Sequence, residues 1–195
     1  NNYGRAPKLV AILVGDDPAS ATYVTMKERA CHSLGIETEI KRLTKDTSTT
    51  ELQQIIRDLN DDQTVDGILL QHPVPKQIDE IKCFNTICIE KDVDGVTTEG
   101  FGNMAMGLNA FGSCTPLGIM RILDHYKINL EGMNALVIGR SQILGKPMAA
   151  MLLNANATVT IAHSKTKNLK NSLKEFDLVV VAVGVPKFVS ANDLK

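Results

Sequence analysis

Several protein classes are excluded by what this chain of 195 residues has little of. Tryptophan is absent, aromatic residues make up 4% of the chain, and no apolar run approaches the roughly 18 residues that a membrane-spanning helix needs. The net charge of −1 provides no basic field that would attract nucleic acid. Internal repeats and low-complexity segments are also missing. We therefore predict a globular protein that binds neither nucleic acid nor a membrane.

The cysteines and histidines form neither a redox motif nor a metal site. Cys31, Cys83, Cys88 and Cys114 include no CxxC pair, and the histidines lack the spacing of metal ligands. Two disulfides are conceivable, but a chain with this much apolar core favours reduced cysteines. The first five residues carry no signal-peptide pattern. We therefore predict no metal, a cytoplasmic location, and a buried packing role for Cys114.

Residues 134–164 are the most informative segment. The apolar run Ala135–Ile138 precedes a turn between Gly139 and Gly145, and the β-branched run Thr158–Ala162 follows a helical stretch. A strand–turn–helix unit of this kind directs free backbone N–H groups and the positive end of a helix dipole at one point, which suits a pyrophosphate. The turn is neither a G-x-G-x-x-G motif nor a P-loop, because five residues separate its glycines. We predict a dinucleotide site here, with a purely structural crossover as the alternative.

The residues around this turn favour NADP over NAD. An NAD site usually has an acidic residue near the end of the second strand, where it binds the ribose 2′-hydroxyl. This chain has Ser164, Lys165 and Lys167 there, and Arg140 lies in the turn itself. Hydroxyls and cations suit a 2′-phosphate. The alternative is that the lysines are ordinary solvated charges.

Strand and helix patterns alternate along the chain, which indicates parallel sheets in an α/β protein. Ser20 is predicted to cap a helix that runs to Leu34, and Ser48–Glu51 has the pattern of a capping box. We predict a first α/β lobe over residues 1–113 and a second, Rossmann-like lobe over 114–195. A doubly wound lobe normally continues beyond three strands, so we expect the sequence to be incomplete at its C-terminus.

A lysine on the first helix is the strongest candidate for chemistry. Tyr23 and Lys27 lie four positions apart, and Ala30 and Leu34 continue the same stripe, so we predict that this face points inward. A lysine on an inward face is costly unless it is paired or used. Gln71 follows a predicted strand, at the edge where open α/β sheets bind ligands. The alternative is that Tyr23 and Lys27 decorate a solvated surface.

Two further patterns each have an alternative explanation. Asp92–Gly95 is a tight acidic turn, although turn chemistry alone explains Asp and Gly there. The spacing of Tyr23 and Lys27 also occurs in short-chain dehydrogenases, but in those proteins the glycine-rich turn comes first in the chain. Here the order is reversed, because Tyr23 precedes Gly139, and this order disfavours that family.

Taken together, the motifs resemble the bifunctional methylenetetrahydrofolate dehydrogenase/methenyltetrahydrofolate cyclohydrolase family in its bacterial form. The matching segments, in the family's order, are Val14–Ser20 with Tyr23 and Lys27, Asp66–Pro75, Lys91–Gly95, Cys114–Gly118, Gly139–Pro147, His163–Thr166 and Ala182–Pro186. They are spread along nearly the whole chain, and seven segments in the family's order make the resemblance specific. The chain departs from the family's pattern at His72, where leucine is usual, and a peripheral packing role is expected for this residue.

The resemblance implies a role for each candidate residue. Lys27 is implied to be the catalytic acid or base, Tyr23 to position the folate substrate, and Gln71 to hydrogen-bond Lys27. Asp94 is implied to bind the pterin ring, because a carboxylate can accept two N–H bonds. The residues implied to hold the cofactor are Gly139, Arg140, Ser141, Gly145 and Ser164.

The activity implied is NADP-dependent oxidation of 5,10-methylenetetrahydrofolate, followed by hydrolysis of the methenyl product to 10-formyltetrahydrofolate, in an active-site cleft between the two lobes. A homodimer is also implied. A relative that retains only one of the two activities is the first alternative. A module that binds NADP or folate without catalysis is the second alternative, and the presence of Lys27 argues against it.

Overall fold

The computed structural model describes residues 4–194, in which parallel strands alternate with helices. The strands are β1 (Lys8–Val14), β2 (Glu37–Leu43), β3 (Gly67–Leu70), β4 (Asn134–Ile138), β5 (Thr158–Ala162) and β6 (Leu178–Val181). The α-helices are α1 (Pro18–Ser33), α2 (Thr49–Asp61), α3 (Glu80–Phe84), α4 (Thr98–Ala105), α5 (Cys114–His125), α6 (Gly145–Asn154) and α7 (Leu169–Ser172). Short 3₁₀ turns cover Ile89–Lys91, Leu173–Glu175 and Ala191–Asp193. The predicted α/β fold class is confirmed.

The chain divides into two compact units, Asn1–Gly100 and Phe101–Lys195, and each unit is built on one three-stranded parallel sheet. The strand order is β2-β1-β3 in the first unit and β5-β4-β6 in the second. In both sheets the strand that comes first in the sequence is therefore the central one. The proposed boundary between residues 113 and 114 stays a prediction.

The central strands are apolar because helices cover both faces of a parallel sheet. In the second unit, Val137 of β4 packs with Met148 and Leu152 of α6. Its neighbours in the strand, Leu136 and Ile138, point to the opposite face and pack in a separate cluster. The buried strand therefore fixes the position of the turn that follows it.

Side-chain caps mark the starts of α1 and α2. Glu51 and Ser48 form the predicted capping box at α2, with Ser48 N–H donating to the Glu51 carboxylate at 2.8 Å. The predicted cap of α1 is wrong: Asp17, not Ser20, precedes the helix, and its carboxylate accepts from the Ser20 N–H at 2.7 Å. This contact lowers the pKa of Asp17, because the N–H stabilises the charged form. Within residues 4–194, no helix is both long and apolar enough to cross a membrane.

Candidate active site

Gln71 lies at the carboxyl end of β3, next to the end of the central strand β1. Its backbone N–H donates to the carbonyl of Ile12 at 2.9 Å, which continues the β1–β3 ladder by one residue. Its side chain is buried. Open α/β sheets bind their ligands at this edge, so the position of Gln71 is suited to a functional role.

The side chains of Lys27 and Gln71 meet at this edge. Lys27 Nζ donates to Gln71 Oε1 at 3.3 Å, and Gln71 Nε2 donates to the backbone carbonyl of His72 at 2.8 Å. A lysine ammonium only donates and a backbone carbonyl only accepts, so the two contacts together fix the orientation of the amide. The structure therefore brings two of the predicted catalytic residues into direct contact.

The predicted inward stripe of α1 is wrong. Tyr23 is 59% exposed, Leu34 is 75% exposed, and Ala30 is exposed as well. Only Lys27, which is half-buried, has the expected surroundings. Tyr23 lies one helical turn before Lys27, with most of its ring available for contact.

The face of α1 that packs against the sheet is displaced by one residue from the predicted stripe. Ser20 and Val24 are buried, and Val24 packs against Ala11 of β1. Lys27 and the half-buried Cys31 continue this face toward the end of the helix. Lys27 therefore lies at the border between the packed face and solvent, where its chain is held and its Nζ can reach Gln71.

The turn that carries Asp94 is closed by its neighbour Asp92. The Asp92 carboxylate is buried and accepts from the N–H groups of Val96 at 3.1 Å and Thr97 at 2.9 Å. The carboxylate of Asp94 is half-buried and makes no hydrogen bond or ion pair with any residue in the described range 4–194. One acidic side chain thus builds the turn, and the other is available to a ligand.

Lys91 ties the same turn to the end of helix α2. Its Nζ donates to the backbone carbonyls of Leu59 at 2.9 Å, Asn60 at 2.7 Å and Asp62 at 2.8 Å. Carbonyls at a helix C-terminus lack partners within the helix and carry partial negative charge, so a cation satisfies them well. The position of the Asp94 turn is therefore fixed from α2.

Gly139 and Gly145 bring two stretches of main chain together in the second unit. Gly139 follows β4 with φ of +129°, and its N–H donates to the carbonyl of Ala162 at 2.8 Å. A Cβ atom on Gly145 would lie 2.5 Å from the carbonyl carbon of Gly139 and 2.7 Å from the backbone nitrogen of Arg140. Side chains are therefore excluded at both positions, as the predicted glycine turn requires.

The first turn of α6 does not offer the free N–H groups that the sequence pattern predicts. The N–H of Gly145 donates to Ser141 Oγ at 3.1 Å, and the N–H of Lys146 donates to the Ser141 carbonyl at 3.0 Å. Pro147 has no N–H, and Met148 N–H donates to a carbonyl at 2.9 Å. What remains for an anion is the helix dipole and the groups of the preceding turn.

A cavity of about 350 Å³ opens beside this turn. Gly139, Arg140, His163 and Ser164 contribute its polar edge. Apolar side chains complete the lining: Ile138, Leu169, Ala182, Val183, Val185 and Phe188. An apolar cavity with a polar, cationic edge fits the adenosine part of a dinucleotide.

The turn after β5 presents Ser164 to this cavity. The N–H of His163 donates to Thr166 Oγ1 at 2.9 Å, and the N–H of Thr166 donates to the His163 carbonyl at 2.8 Å. Ser164 and Lys165 between them are exposed. Among residues 4–194, no three His, Cys, Asp or Glu side chains come together in a way that could hold a metal ion.

The cysteines differ in their surroundings. All four are free of disulfides. Cys114 is exposed at the start of α5, so its predicted buried packing role is wrong. Cys83 of α3 is the buried one, and burial raises the pKa of its thiol to about 11.

Three residues that shape the site were not predicted from the sequence. Glu80 pairs with His72 Nδ1 at 2.7 Å, and Lys91 and Asp92 hold the Asp94 turn. The acidic turn pattern pointed to Asp92, but only as ordinary turn chemistry. No local signal identifies the partners of Lys91, because they lie about thirty residues earlier in the chain.

Two family models match the chain. Tetrahydrofolate dehydrogenase/cyclohydrolase, catalytic domain, matches residues 1–94, and the NAD(P)-binding domain of the same family matches residues 113–195. The bifunctional protein FolD of Alcanivorax borkumensis is 58% identical over 192 residues, which cover 98% of this chain and 68% of that protein.

Solved structures agree with this match. The bifunctional FolD methylenetetrahydrofolate dehydrogenase/cyclohydrolase of Campylobacter jejuni is similar to this chain with a TM-score of 0.96 and 42% identity, over 100% of this chain and 69% of that one. The dehydrogenase-cyclohydrolase of Trypanosoma brucei, solved with NADP and an inhibitor, gives a TM-score of 0.94 and 30% identity, over 100% and 67%. The chain belongs to the tetrahydrofolate dehydrogenase/cyclohydrolase family.

Proposed function

We propose that this protein oxidises 5,10-methylenetetrahydrofolate with NADP and hydrolyses the methenyl product to 10-formyltetrahydrofolate. The observation that carries this proposal is the contact between Lys27 Nζ and Gln71 Oε1 at the carboxyl end of β3. The relative of solved structure from Campylobacter jejuni is named for both activities, and the relative from Alcanivorax borkumensis is named bifunctional. We assign the folate chemistry to residues 1–113 and the binding of NADP to residues 114–195.

The residues of the second unit fit NADP. The two glycines let the main chain close tightly, and the cavity beside them is apolar with a cationic edge. Arg140 and Ser164 would hold the 2′-phosphate, since a guanidinium and a hydroxyl suit it. Ser141 stabilises the turn because its Oγ accepts a hydrogen bond from the N–H of Gly145. The chemistry that NADP supplies when bound is hydride acceptance from the methylene bridge.

Lys27 is the proposed proton donor and acceptor for the hydrolysis step. Its Nζ is held by Gln71 and lies at the border of the packed face of α1. When water adds to the methenyl carbon, a proton must leave that water and the ring nitrogen must take one up, and we assign this proton transfer to Lys27. Tyr23, with its exposed ring, would orient the folate beside Lys27.

Asp94 is the proposed anchor of the pterin ring. Its carboxylate has no partner within residues 4–194, although its backbone is fixed through Asp92 and Lys91. A carboxylate held in this way can accept two N–H bonds from the amino-pyrimidine edge of a pterin. Asp94→Asn should therefore weaken folate binding in an equilibrium titration, whereas unchanged folate affinity would remove this contact from the proposal.

The test follows absorbance of the full-length protein with 5,10-methylenetetrahydrofolate, first with NADP and then with NAD. NADPH formation followed by enzyme-accelerated decay of the methenyl signal supports both activities. Accumulation of the methenyl product with only spontaneous decay would indicate a dehydrogenase that lacks cyclohydrolase activity. No reduction with either cofactor would favour a binding module.

The matched pair of variants is Lys27→Met and Lys82→Met. Lys27→Met should reduce methenyl hydrolysis at least 100-fold, since general acid–base catalysis typically contributes about 10²–10⁴-fold. Lys82 is an exposed lysine of α3 that pairs with Asp79, and its replacement should leave hydrolysis unchanged. Wild-type hydrolysis by Lys27→Met would remove the proposed role.

A homodimer and a cytoplasmic location are also part of the proposal. The four cysteines form no disulfide within residues 4–194, which suits a reducing compartment. Analytical ultracentrifugation of the full-length protein, with and without NADP, tests the dimer. A monomer at micromolar concentration under both conditions would contradict it.

A further inference from the structure

A continuous chain of hydrogen bonds leads from helix α3 to Lys27. The carboxylate oxygen Oε1 of Glu80 accepts from His72 Nδ1 at 2.7 Å and from the N–H of Val74 at 3.2 Å. The carbonyl of His72 accepts from Gln71 Nε2 at 2.8 Å, and Gln71 Oε1 accepts from Lys27 Nζ at 3.3 Å. Each link joins a group that only accepts to a group that can donate.

Glu80 holds the segment after Gln71 at two points. One contact is to the side chain of His72 and the other is to the main chain of Val74. The backbone carbonyl of His72 therefore cannot rotate freely. Because a carboxylate only accepts, His72 carries a proton on Nδ1 in this arrangement. The carbonyl of His72 then faces Gln71 Nε2, and the amide oxygen is left for Lys27.

Glu80 is itself held in place. It is the first residue of α3, whose N-cap Asp79 accepts from the Lys82 N–H at 3.1 Å. The N–H of Asp79 donates to Thr49 Oγ1, in the first turn of α2, at 2.9 Å. The Glu80 side chain is 25% exposed. Glu80, at the α3 end of the chain of hydrogen bonds, is therefore held by the packed structure.

We propose that Glu80 is a positioning residue: through His72 it fixes the orientation of the Gln71 amide toward Lys27. The proposed role requires no contact of Glu80 with the substrate or with Lys27. Its role in catalysis rests on the proposed function of Lys27 and Gln71, whereas its effect on the Gln71 amide does not.

Kinetics of two Glu80 variants test the catalytic part. Glu80→Ala removes the acceptor and should lower kcat for methenyl hydrolysis at least fivefold, with KM for NADP in the dehydrogenase assay within twofold of wild type. Glu80→Gln keeps an oxygen that can accept from both His72 and Val74, and should restore kcat to within twofold. Lys82→Met, two residues along the same helix, is the matched control and should behave like wild type.

A readout that needs no turnover is the side-chain amide signal of Gln71 in ¹⁵N-labelled full-length protein. The signal is identified by its loss in Gln71→Ala. Glu80→Ala should shift or broaden it, while Glu80→Gln and Lys82→Met leave it in place. If Glu80→Ala does not fold, His72→Leu breaks the chain of bonds from the other side and should give the same change.

The outcomes separate the two proposals. If the wild-type protein shows no turnover but its Gln71 amide signal changes in Glu80→Ala, the proposed function is overturned. The positioning role of Glu80 is supported by the same result. Wild-type kcat in Glu80→Ala, or an unchanged Gln71 amide, would overturn the positioning. An equal loss of NADP affinity and kcat in Glu80→Ala would also overturn it, because that pattern indicates general disruption.

Discussion

Replacing Gly145 by alanine adds one methyl group where two stretches of main chain meet. The new Cβ would lie 2.5 Å from the carbonyl carbon of Gly139 and 2.7 Å from the nitrogen of Arg140, closer than the 3.0 Å that real Cβ atoms essentially never breach. Both obstacles are backbone, so no rotamer change relieves the overlap. The turn before α6 must therefore move.

The expected cost lies at the upper end of the range for overpacking, about 3 kcal/mol, because backbone yields less readily than a side chain. For a chain of this size, that cost lowers Tm by about 6–12 °C. The movement displaces Arg140 from the cavity edge, so NADP affinity should fall at least tenfold, equivalent to about 1.4 kcal/mol of binding free energy.

The assay combines thermal unfolding with a titration of NADP followed by calorimetry. Gly118→Ala is the matched control for stability, since Gly118 is exposed in α5 with nothing within 4 Å of an added Cβ. Alanine is favoured over glycine in a helix by up to about 1 kcal/mol, so Tm should stay or rise. Gly145→Ala with unchanged Tm and unchanged NADP affinity would refute the steric argument.

Three further predictions concern single side chains. Arg140→Ala should raise KM for NADP more than for NAD, because the exposed guanidinium borders the cavity beside Ser164; equal changes would remove Arg140 from 2′-phosphate recognition. Lys91→Met should lower the free energy of unfolding in urea by about 2–3 kcal/mol, because three carbonyls lose a charged donor, and a loss below 0.5 kcal/mol would contradict this reading. At pH 8 iodoacetamide should modify Cys114 well before Cys83, since a thiol with its pKa raised to about 11 stays protonated there; peptide mapping that finds Cys83 modified first would be the opposite result.

Local sequence patterns were sufficient to predict the elements that require particular residue types. The run Ala135–Ile138 followed by Gly139 predicted strand β4 and its turn, because a buried strand and a positive φ each require particular residue types. The capping box of α2 was likewise visible, since its two partners lie three residues apart.

The packed face of α1 could not be identified from spacing alone. Two stripes with helical periodicity share this helix, one through Tyr23 and Leu34 and one through Ser20 and Val24, and both contain Lys27. Strand β1, which packs against the second stripe through Ala11, decides between them. A sequence pattern gives the period of a helix face but not the neighbour that the face contacts.

Hydrogen bonds formed by loop residues also could not be predicted from the sequence. Ser141 satisfies N–H groups that the glycine turn was predicted to leave free, and Glu80 reaches back to His72. Both depend on where loops run in space. Their residue types are ordinary at these positions, so no composition signal marks them.

The shared strand order of the two sheets bears on how the chain is made. In each unit the central strand, β1 or β4, leaves the ribosome before the two strands that flank it. Each later strand then finds its partner already synthesised, and neither sheet must wait for a missing middle strand. Because domains fold largely as units during synthesis, the first sheet can close before β4 emerges. Two sequences without any visible repeat thus share one order of assembly, from the centre of the sheet outward.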